Sequence, residues 1–205
     1  MSRPLRLGAY TLTAILLAAY AVVLWWVAHP TVPASYRAYY IDQTTTCMNQ
    51  PVPGTYTLGT IVSYLPDGMD AAKPTKPCGW EGPAGDGTHA VGTSSRLRFS
   101  WTGPTAGPLR LSLDMLAIAR AGTVMPQTVD VVVNDQKVAT LDVTSGTGQH
   151  FDIPLPAGLV GQGRADIVLE FPDAVQMGPT DPPTRWRSIK LLAAGVVPGH
   201  RGPGT

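Results

Sequence analysis

Histidines and carboxylates are the residues of this sequence that could carry out acid–base or metal chemistry. The four histidines are His29, His89, His150 and His200. They form no HExxH motif and no paired metal-ligand spacing. His89 lies in the most promising surroundings for a general acid or base, but no partner residue is identifiable for it. Asp67 and Asp70 could contact a cation, but their weak spacing is more typical of solvated loop carboxylates.

Motifs for covalent or cofactor chemistry are also missing from the sequence. It contains no GxSxG nucleophile elbow. Gly161-Gln162-Gly163 is interpreted as a turn and not as a dinucleotide-binding loop, because no helical pattern follows it. We therefore expect a protein that is not an enzyme, with no catalytic residue, no cofactor and no metal.

The charge of the chain argues against nucleic acid as a partner. Its 205 residues carry 15 Lys and Arg and 14 Asp and Glu, for a formal net charge of +1. Arg3 and Arg6 precede a long apolar run, so the remainder of the chain is close to neutral. Binding to nucleic acid requires a clustered basic surface, which the sequence does not show.

The apolar run predicts one transmembrane helix. Gly8–Ala28 contains 21 residues and no charge, and about 20 apolar residues cross the hydrocarbon core of a bilayer. The apolar region of a secretory signal is usually shorter, roughly 7–15 residues. Arg3 and Arg6 place the N-terminus in the cytoplasm. The expected location is the bacterial inner membrane, with the C-terminal domain in the periplasm.

Cleavage of the same segment is the alternative, because Val32-Pro33-Ala34 before Ser35 fits a small-residue cleavage site. In a retained helix, Ala14, Ala18 and Ala21 share one face, where small side chains let a partner helix approach closely. Amphipathic aromatic residues favour the headgroup layer. The residues expected there are Trp25, Trp26, Tyr36, Tyr39 and Tyr40.

The two cysteines, Cys47 and Cys78, predict a disulfide, since an even number of cysteines outside the cytoplasm is typically paired. The bond would close a loop of about 30 residues and contribute roughly 3–4 kcal/mol to stability. Two free buried thiols are the alternative. Neither cysteine belongs to a CxxC or CxxCH motif.

After Pro30 the chain has the period-two alternation of β-strands and no sustained helical period. Short strands separated by Gly/Pro turns are typical of an antiparallel β-sandwich. The fold class is therefore predicted as all-β, a jelly-roll-like sandwich preceded by one transmembrane helix. Arg96, Arg98 and Arg110 are predicted to line one sheet face. The predicted strands are 96–101, 109–115, 129–133, 139–143, 151–155, 165–171 and 188–194.

Composition and pattern divide the chain into an anchor, a linker, one domain and a tail. Inside the domain, Pro66–Thr93 is predicted to form a long irregular loop, of the kind that often carries function. The predicted segments are a cytoplasmic N-terminus 1–7, the helix 8–28, a juxtamembrane linker 29–40, the sandwich 41–197 and a Gly/Pro tail 198–205.

The order of several segments resembles the galactose-binding-like jelly roll appended to bacterial membrane glycosyltransferases. A GW-x-x-P segment (Gly79, Trp80, Pro83) is followed by "PLRLSLDMLA", "VDVVVNDQKVATLDV", "HFDIPLP", "ADIVLEF" and "RSIKLL". The resemblance covers about residues 75–197. It implies a β-sandwich and contact with glycan, with Asp181 and Arg185 or Arg187 as an acidic–basic pair before the last strand. The family joins this domain to a catalytic part, for which these 205 residues show no motif.

Trp80 and Trp186 are the aromatic candidates for stacking on a sugar ring or filling a partner's pocket, and the alternative is that they cap the ends of the sandwich. Two hypotheses for function follow. The first is a non-enzymatic, single-span subunit that contacts integral membrane protein partners through its helix and its periplasmic sandwich. The second is a carbohydrate-binding accessory module of a membrane glycosyltransferase or polysaccharide system.

Overall fold

The computed structural model describes residues 3–29, 31–42, 47, 54–103, 107–160 and 163–199. The chain divides into two compact units, Met1–Ala34 and Ser35–Thr205. The predicted turn at Gly161-Gln162 and the predicted tail from residue 200 onward lie outside the described residues.

The first unit is a single helix, α1, over Arg3–Ala28. Its stretch Gly8–Ala28 has a mean hydropathy of 2.0 and is long and apolar enough to cross a membrane, a criterion that a secretory signal also meets. None of this stretch is buried within the chain. The predicted helix is therefore confirmed, and its retention in the membrane stays a prediction.

The predicted linker is partly helical. The short helix α2, Ala34–Tyr36, continues as one wide helical turn over Arg37–Ile41. Within that turn the ring centroids of Tyr36 and Tyr40 lie 4.6 Å apart, and those of Tyr39 and Tyr40 lie 4.7 Å apart. The turn thus presents a cluster of three tyrosines.

The second unit contains two main antiparallel sheets, which confirms the predicted class of β-sandwich. The larger sheet has the order β10-β5-β12-β3-β2, with β1 also paired to β12, and the smaller has the order β4-β11-β8-β9. β6 and β7 form a separate short hairpin. The strands are β1 Val62–Ser63, β2 Trp80–Ala84, β3 Gly87–Ala90, β4 Ser94–Ser100, β5 Leu109–Ala117, β6 Ala119–Arg120, β7 Thr123–Val124, β8 Gln127–Val133, β9 Gln136–Val143, β10 Gln149–Leu155, β11 Arg164–Glu170 and β12 Ile189–Pro198.

One hydrophobic core lies between the two sheets. In β8 the alternate residues Val129, Val131 and Val133 are fully buried, as the period of two requires for a strand with one inner face. β5 contributes Leu111 and Leu113 from the opposite sheet. The β8–β9 connection is a tight turn in which Asn134 and Asp135 adopt φ of 46° and 65°, values that Asn and Asp tolerate better than most residues.

The segment 66–93 is more regular than the sequence indicates. Its first part forms helical turns, which include α3, Met69–Ala72, and its second part forms the β2–β3 hairpin at one edge of the larger sheet. The expectation of an irregular loop is therefore wrong for this segment. Strands β2 and β3 were not predicted because Gly and Pro interrupt their alternation of apolar and polar residues. The hairpin is stabilised instead by the pairing of β3 with β12.

The prediction that three arginines share a sheet face is also wrong. Arg96 and Arg98 lie on β4 of the smaller sheet, whereas Arg110 lies on β5 of the larger one. Arg98 pairs with Asp166 of β11, and Arg110 pairs with Asp152 of β10. Consecutive strands of a sandwich commonly belong to different sheets, and alternation along one strand does not show when the chain crosses over.

Cys47 and Cys78 form the predicted disulfide, with their Cα atoms 4.7 Å apart. Cys78 is buried, and its backbone carbonyl accepts a hydrogen bond of 3.0 Å from the Arg96 N–H of β4. The bond thus fastens the chain near residue 47 to the entry of the β2–β3 hairpin.

Candidate functional site

Trp80 begins β2 immediately after a turn that requires glycine. Gly79 has φ of +79°, and a Cβ there would lie 2.6 Å from the Ser95 Cα and 2.7 Å from the Ser94 carbonyl oxygen. Only glycine allows the two backbones to approach so closely. The Trp80 Nε1–H donates a hydrogen bond of 2.7 Å to the Arg96 carbonyl oxygen. The indole is therefore held in one orientation while remaining half-exposed.

A groove of about 460 Å³ runs beside this indole and is called here the Trp80 groove. Three aromatic residues, two lysines and two carboxylates give it both apolar and charged surface. Tyr39 and Tyr40 are 36% and 52% exposed, so their rings are accessible. The groove is lined by Tyr39, Tyr40, Met69, Asp70, Lys73, Lys76, Pro77, Cys78, Gly79, Trp80, Glu81 and Gly82.

The charged groups of the Trp80 groove are of both signs. Lys73 and Lys76 supply two positive charges, and Asp70 and Glu81 supply two negative ones, of which Glu81 is paired with Arg187. Burial lowers the pKa of the Lys76 ammonium group, whose Nζ lies 3.7 Å from the Met69 Sδ. The arrangement offers hydrogen-bond donors and acceptors beside an aromatic face. It can hold a polar ligand that also has an apolar side.

A second concave site, called here the His89 pocket, has a volume of about 340 Å³. Asp86 lies in the β2–β3 turn, His89 on β3, Lys190 on β12, and Arg187 just before β12. The Lys190 ammonium pairs with the Asp86 carboxylate, and the Arg187 guanidinium pairs with Glu81. The pocket is lined by Asp86, His89, Leu116, Ala117, Ile118, Ala119, Val124, Gly146, Met177, Arg187 and Lys190.

The His89 imidazole is held in its neutral form. Burial lowers its pKa most, and the positive charge of Lys190 lowers it further. Its Nδ1 is buried and has no hydrogen-bond partner within the part of the chain that the structure describes. The neutral ring can therefore donate one hydrogen bond and accept another when it binds a ligand.

The candidate contact residues before the last strand do not all lie at one site. They are Asp181, Arg185, Trp186 and Arg187. Asp181 closes a local turn, since its Oδ2 accepts a hydrogen bond of 2.7 Å from the Gly178 N–H. The Trp186 Nε1–H donates to the Asp181 carbonyl oxygen at 3.2 Å. Arg185 is exposed. Arg187 alone reaches the two concave sites, through its ion pair with Glu81.

Several residues of these sites were missed by sequence reasoning. Glu81, Asp86 and Lys190 showed no motif, because charged residues near turns and strand ends are common. Tyr39 and Tyr40 were predicted to lie at the membrane interface, and they line the Trp80 groove. The only signal in the sequence was the concentration of aromatic residues at positions 36–40.

Asp67 and Asp70, the two carboxylates that could contact a cation, lie in different surroundings. Asp67 accepts a hydrogen bond from the Ser63 hydroxyl at 3.3 Å, and Asp70 is exposed beside the Trp80 groove. Across the described ranges, no group of three or more His, Cys, Asp or Glu could hold a metal ion.

His150 forms a separate charged cluster on the face of the larger sheet. Its Nδ1 lies 2.6 Å from the Asp114 carboxylate, and its Nε2 lies 3.5 Å from the Asp152 carboxylate. The hydrogen bond to Asp114 raises the pKa of the imidazole above its ordinary value of 6.5. The side chain is 54% exposed, so the effect on stability is small.

We expect His150 to make the domain slightly more stable in acid. The imidazole has a higher pKa in the folded protein than in the unfolded chain, where it is about 6.5. Its protonation therefore stabilises the fold fully below pH 6.5, and this stabilisation is lost as the pH rises through the pKa of the folded state. His150→Gln should therefore lower the urea midpoint of the full chain at pH 5.5 and leave it nearly unchanged at pH 8.5. An equal effect at both pH values would contradict the assignment.

Comparison with known proteins shows only distant structural likeness. No family model and no curated protein matches the chain. It is similar to the CBM36-1 domain of a multidomain xylanase from the hindgut metagenome of Trinervitermes trinervoides, at 15% identity and a TM-score of 0.40, covering 71% of this chain and 98% of that one.

Two further solved structures are of the same kind. One is a carbohydrate-binding module CBM36 in complex with calcium and xylotriose, at 16% identity and a TM-score of 0.39, covering 67% of this chain and 98% of that one. The other is a family 6 carbohydrate-binding module, at 11% identity and a TM-score of 0.42, covering 72% of this chain and 99% of that one. Likeness at this level carries no argument about function, which is derived below from the side chains.

Proposed function

We propose that this protein is a non-enzymatic carbohydrate-binding accessory module of a bacterial membrane glycosyltransferase or polysaccharide system. The observation that carries the proposal is the Trp80 groove, in which a fixed and half-buried indole lies among charged groups of both signs. Its volume of about 460 Å³ is within the range of roughly 300–1,000 Å³ typical of ligand sites.

The chemistry of the groove matches a sugar. A pyranose has an apolar face of C–H groups, which packs on an aromatic ring, and a rim of hydroxyls, each of which both donates and accepts hydrogen bonds. Trp80 supplies the ring, and Lys73, Asp70 and Glu81 supply partners for hydroxyls. The Trp80 Nε1–H is already bonded to the Arg96 carbonyl, and part of the indole packs against the hydrophobic core, so the exposed remainder of the ring is the surface available to a sugar.

The remaining features favour an exported protein held at the membrane. The helix Gly8–Ala28 can serve as the anchor. The Cys47–Cys78 disulfide suits an oxidising compartment such as the periplasm. A glycan-binding domain attached in this way would keep a growing or exported polysaccharide close to its membrane enzyme.

Direct binding tests the proposal. The full chain, purified in detergent, should be retained on at least one immobilised neutral polysaccharide and released by the free oligosaccharide. Retention that is insensitive to free sugar, or no retention across gluco-, xylo-, manno- and arabino-polysaccharides, would reject the proposed function.

The second candidate function is that of a subunit in a membrane protein complex. It is favoured by the exposed helix, on which Ala14, Ala18 and Ala21 follow one face. Small side chains allow close helix packing in a bilayer, where van der Waals contact drives association. This role is compatible with glycan binding, since an accessory module also needs an enzyme to accompany.

We expect the double substitution Ala14→Leu and Ala18→Leu to reduce co-purification of the full chain with its membrane partner several-fold. The larger side chains would separate the two helices while keeping the span apolar. Leu12→Ile and Leu17→Ile together form the matched control. Wild-type co-purification of the double leucine variant would show that the helix is only an anchor.

A further inference from the structure

The Trp80 groove and the His89 pocket share a wall. Glu81 lines the groove, and its carboxylate pairs with the guanidinium of Arg187, which lines the pocket. The two sites follow the β2–β3 hairpin from Trp80, at the start of β2, to Asp86, in the turn, and the pocket also includes Lys190 of β12. A ligand that extends beyond the groove past Glu81 therefore reaches the pocket.

The polar groups of the His89 pocket are fixed before any ligand arrives. The side chains of Lys190 and Arg187 are only 15% and 19% exposed, and each is tied to a carboxylate. Arg187 also donates a hydrogen bond of 2.7 Å from Nη1 to the Arg185 carbonyl oxygen. Groups that are held in place lose little freedom on binding, which favours affinity.

The neutral His89 ring favours a ligand group that can both donate and accept hydrogen bonds. A neutral imidazole has one nitrogen that donates and one that accepts. His89 lines the pocket, and a ligand hydroxyl can pair with the accessible part of the neutral ring in either tautomer, because a hydroxyl both donates and accepts. Met177 and Val124 add apolar surface to the same pocket.

Resting on the proposed function, we infer that the His89 pocket is a second sugar subsite, which binds a unit of the neutral glycan beyond the units that occupy the Trp80 groove. The ligand is then an oligosaccharide or polysaccharide, since a single sugar cannot occupy both sites.

The charges of the pocket decide between neutral and acidic glycans. Lys190 is balanced by Asp86, and Arg187 is balanced by Glu81. The carboxylate of a uronic acid would enter a half-buried site without an unpaired cation to meet it, and a buried charge without a partner is costly. Neutral sugars carry no such penalty.

Calorimetric titration of the full chain in detergent tests this inference with defined probes. The probes are neutral gluco-, xylo-, manno- and arabino-oligosaccharides of two and four units, with oligogalacturonides of the same lengths as acidic probes. We expect the affinity for the preferred neutral sugar to rise about tenfold from two to four units, as a second set of hydrogen bonds forms.

Two variants separate the subsites. His89→Ala should weaken binding of the four-unit sugar about tenfold and leave binding of the two-unit sugar unchanged. His150→Ala, an exposed histidine elsewhere on the larger sheet, is the matched control.

Asp86→Asn, at an exposed turn, leaves Lys190 without its carboxylate and should raise the affinity for tetragalacturonide several-fold at low salt.

Each other result overturns the inference. If the wild type binds two- and four-unit sugars equally, or if His89→Ala weakens both alike, the pocket is not a subsite, although the proposed function survives. A preference of the wild type for oligogalacturonides refutes the neutral ligand. If no probe binds, the proposed function fails, and this inference fails with it.

Discussion

Replacing Trp80 with alanine should weaken binding of the preferred neutral oligosaccharide about 10- to 100-fold. Truncating a central aromatic contact typically has an effect of this size, because both its contact area and its exclusion of water are lost. The indole is the part of the groove whose orientation is fixed, by its hydrogen bond to the Arg96 carbonyl and by the turn at Gly79. The measurement is calorimetric titration of the full chain with a four-unit sugar.

Two control variants distinguish stacking from folding. Trp80→Phe keeps a smaller aromatic face but loses the Nε1–H donor and the five-membered ring, so its affinity should fall by less than that of Trp80→Ala. Trp186→Ala removes an indole that does not line the groove and should leave affinity unchanged. If Trp80→Ala binds as well as the wild type, the groove is not the glycan site.

The double substitution Cys47→Ser and Cys78→Ser should lower the free energy of unfolding by about 3–4 kcal/mol. In the chain-entropy model this is the effect of releasing a loop closed between cysteines 31 residues apart. Urea denaturation of the full chain under non-reducing conditions measures it. Removing both thiols avoids an unpaired cysteine that could form intermolecular disulfides.

The same variant should also disturb the groove. Cys78 is adjacent to Gly79 and itself lines the Trp80 groove. Proteolysis should therefore begin within residues 66–79 before it reaches the strands from β4 onward, and glycan affinity should fall. Reduction of the wild-type protein with dithiothreitol should reproduce both effects. An unchanged urea midpoint would mean that the disulfide adds nothing to the stability of the domain.

The regular strands were predictable because each carries its own hydrophobic pattern. Leu97 and Phe99 of β4 alternate with polar residues, and Val129, Val131 and Val133 occupy alternate positions of β8; all five are buried in the core. The helix over Gly8–Ala28 was predictable for the same reason, since an uncharged run of 21 residues has few alternatives. The disulfide followed from the presence of only two cysteines.

The candidate site was only partly predictable. Trp80 and Arg187 were identified from their residue types, but Glu81, Asp86, His89 and Lys190 come together from β2, its turn, β3 and β12. The β2–β3 hairpin was missed because Gly82, Pro83 and Gly85 interrupt its alternation.

What the sequence alone determined about this protein is therefore local: an apolar helix, strands with one buried face, and a pair of cysteines. Each depends on periodicity or composition within one segment. The tertiary structure alone decided that Arg96 and Arg110 belong to different sheets and that Tyr40 lines the same groove as Trp80. It also decided that Arg187 pairs with Glu81, 106 positions away. Such contacts are set by strand order and by packing of the sheets, and neither property is encoded in the pattern of any single strand.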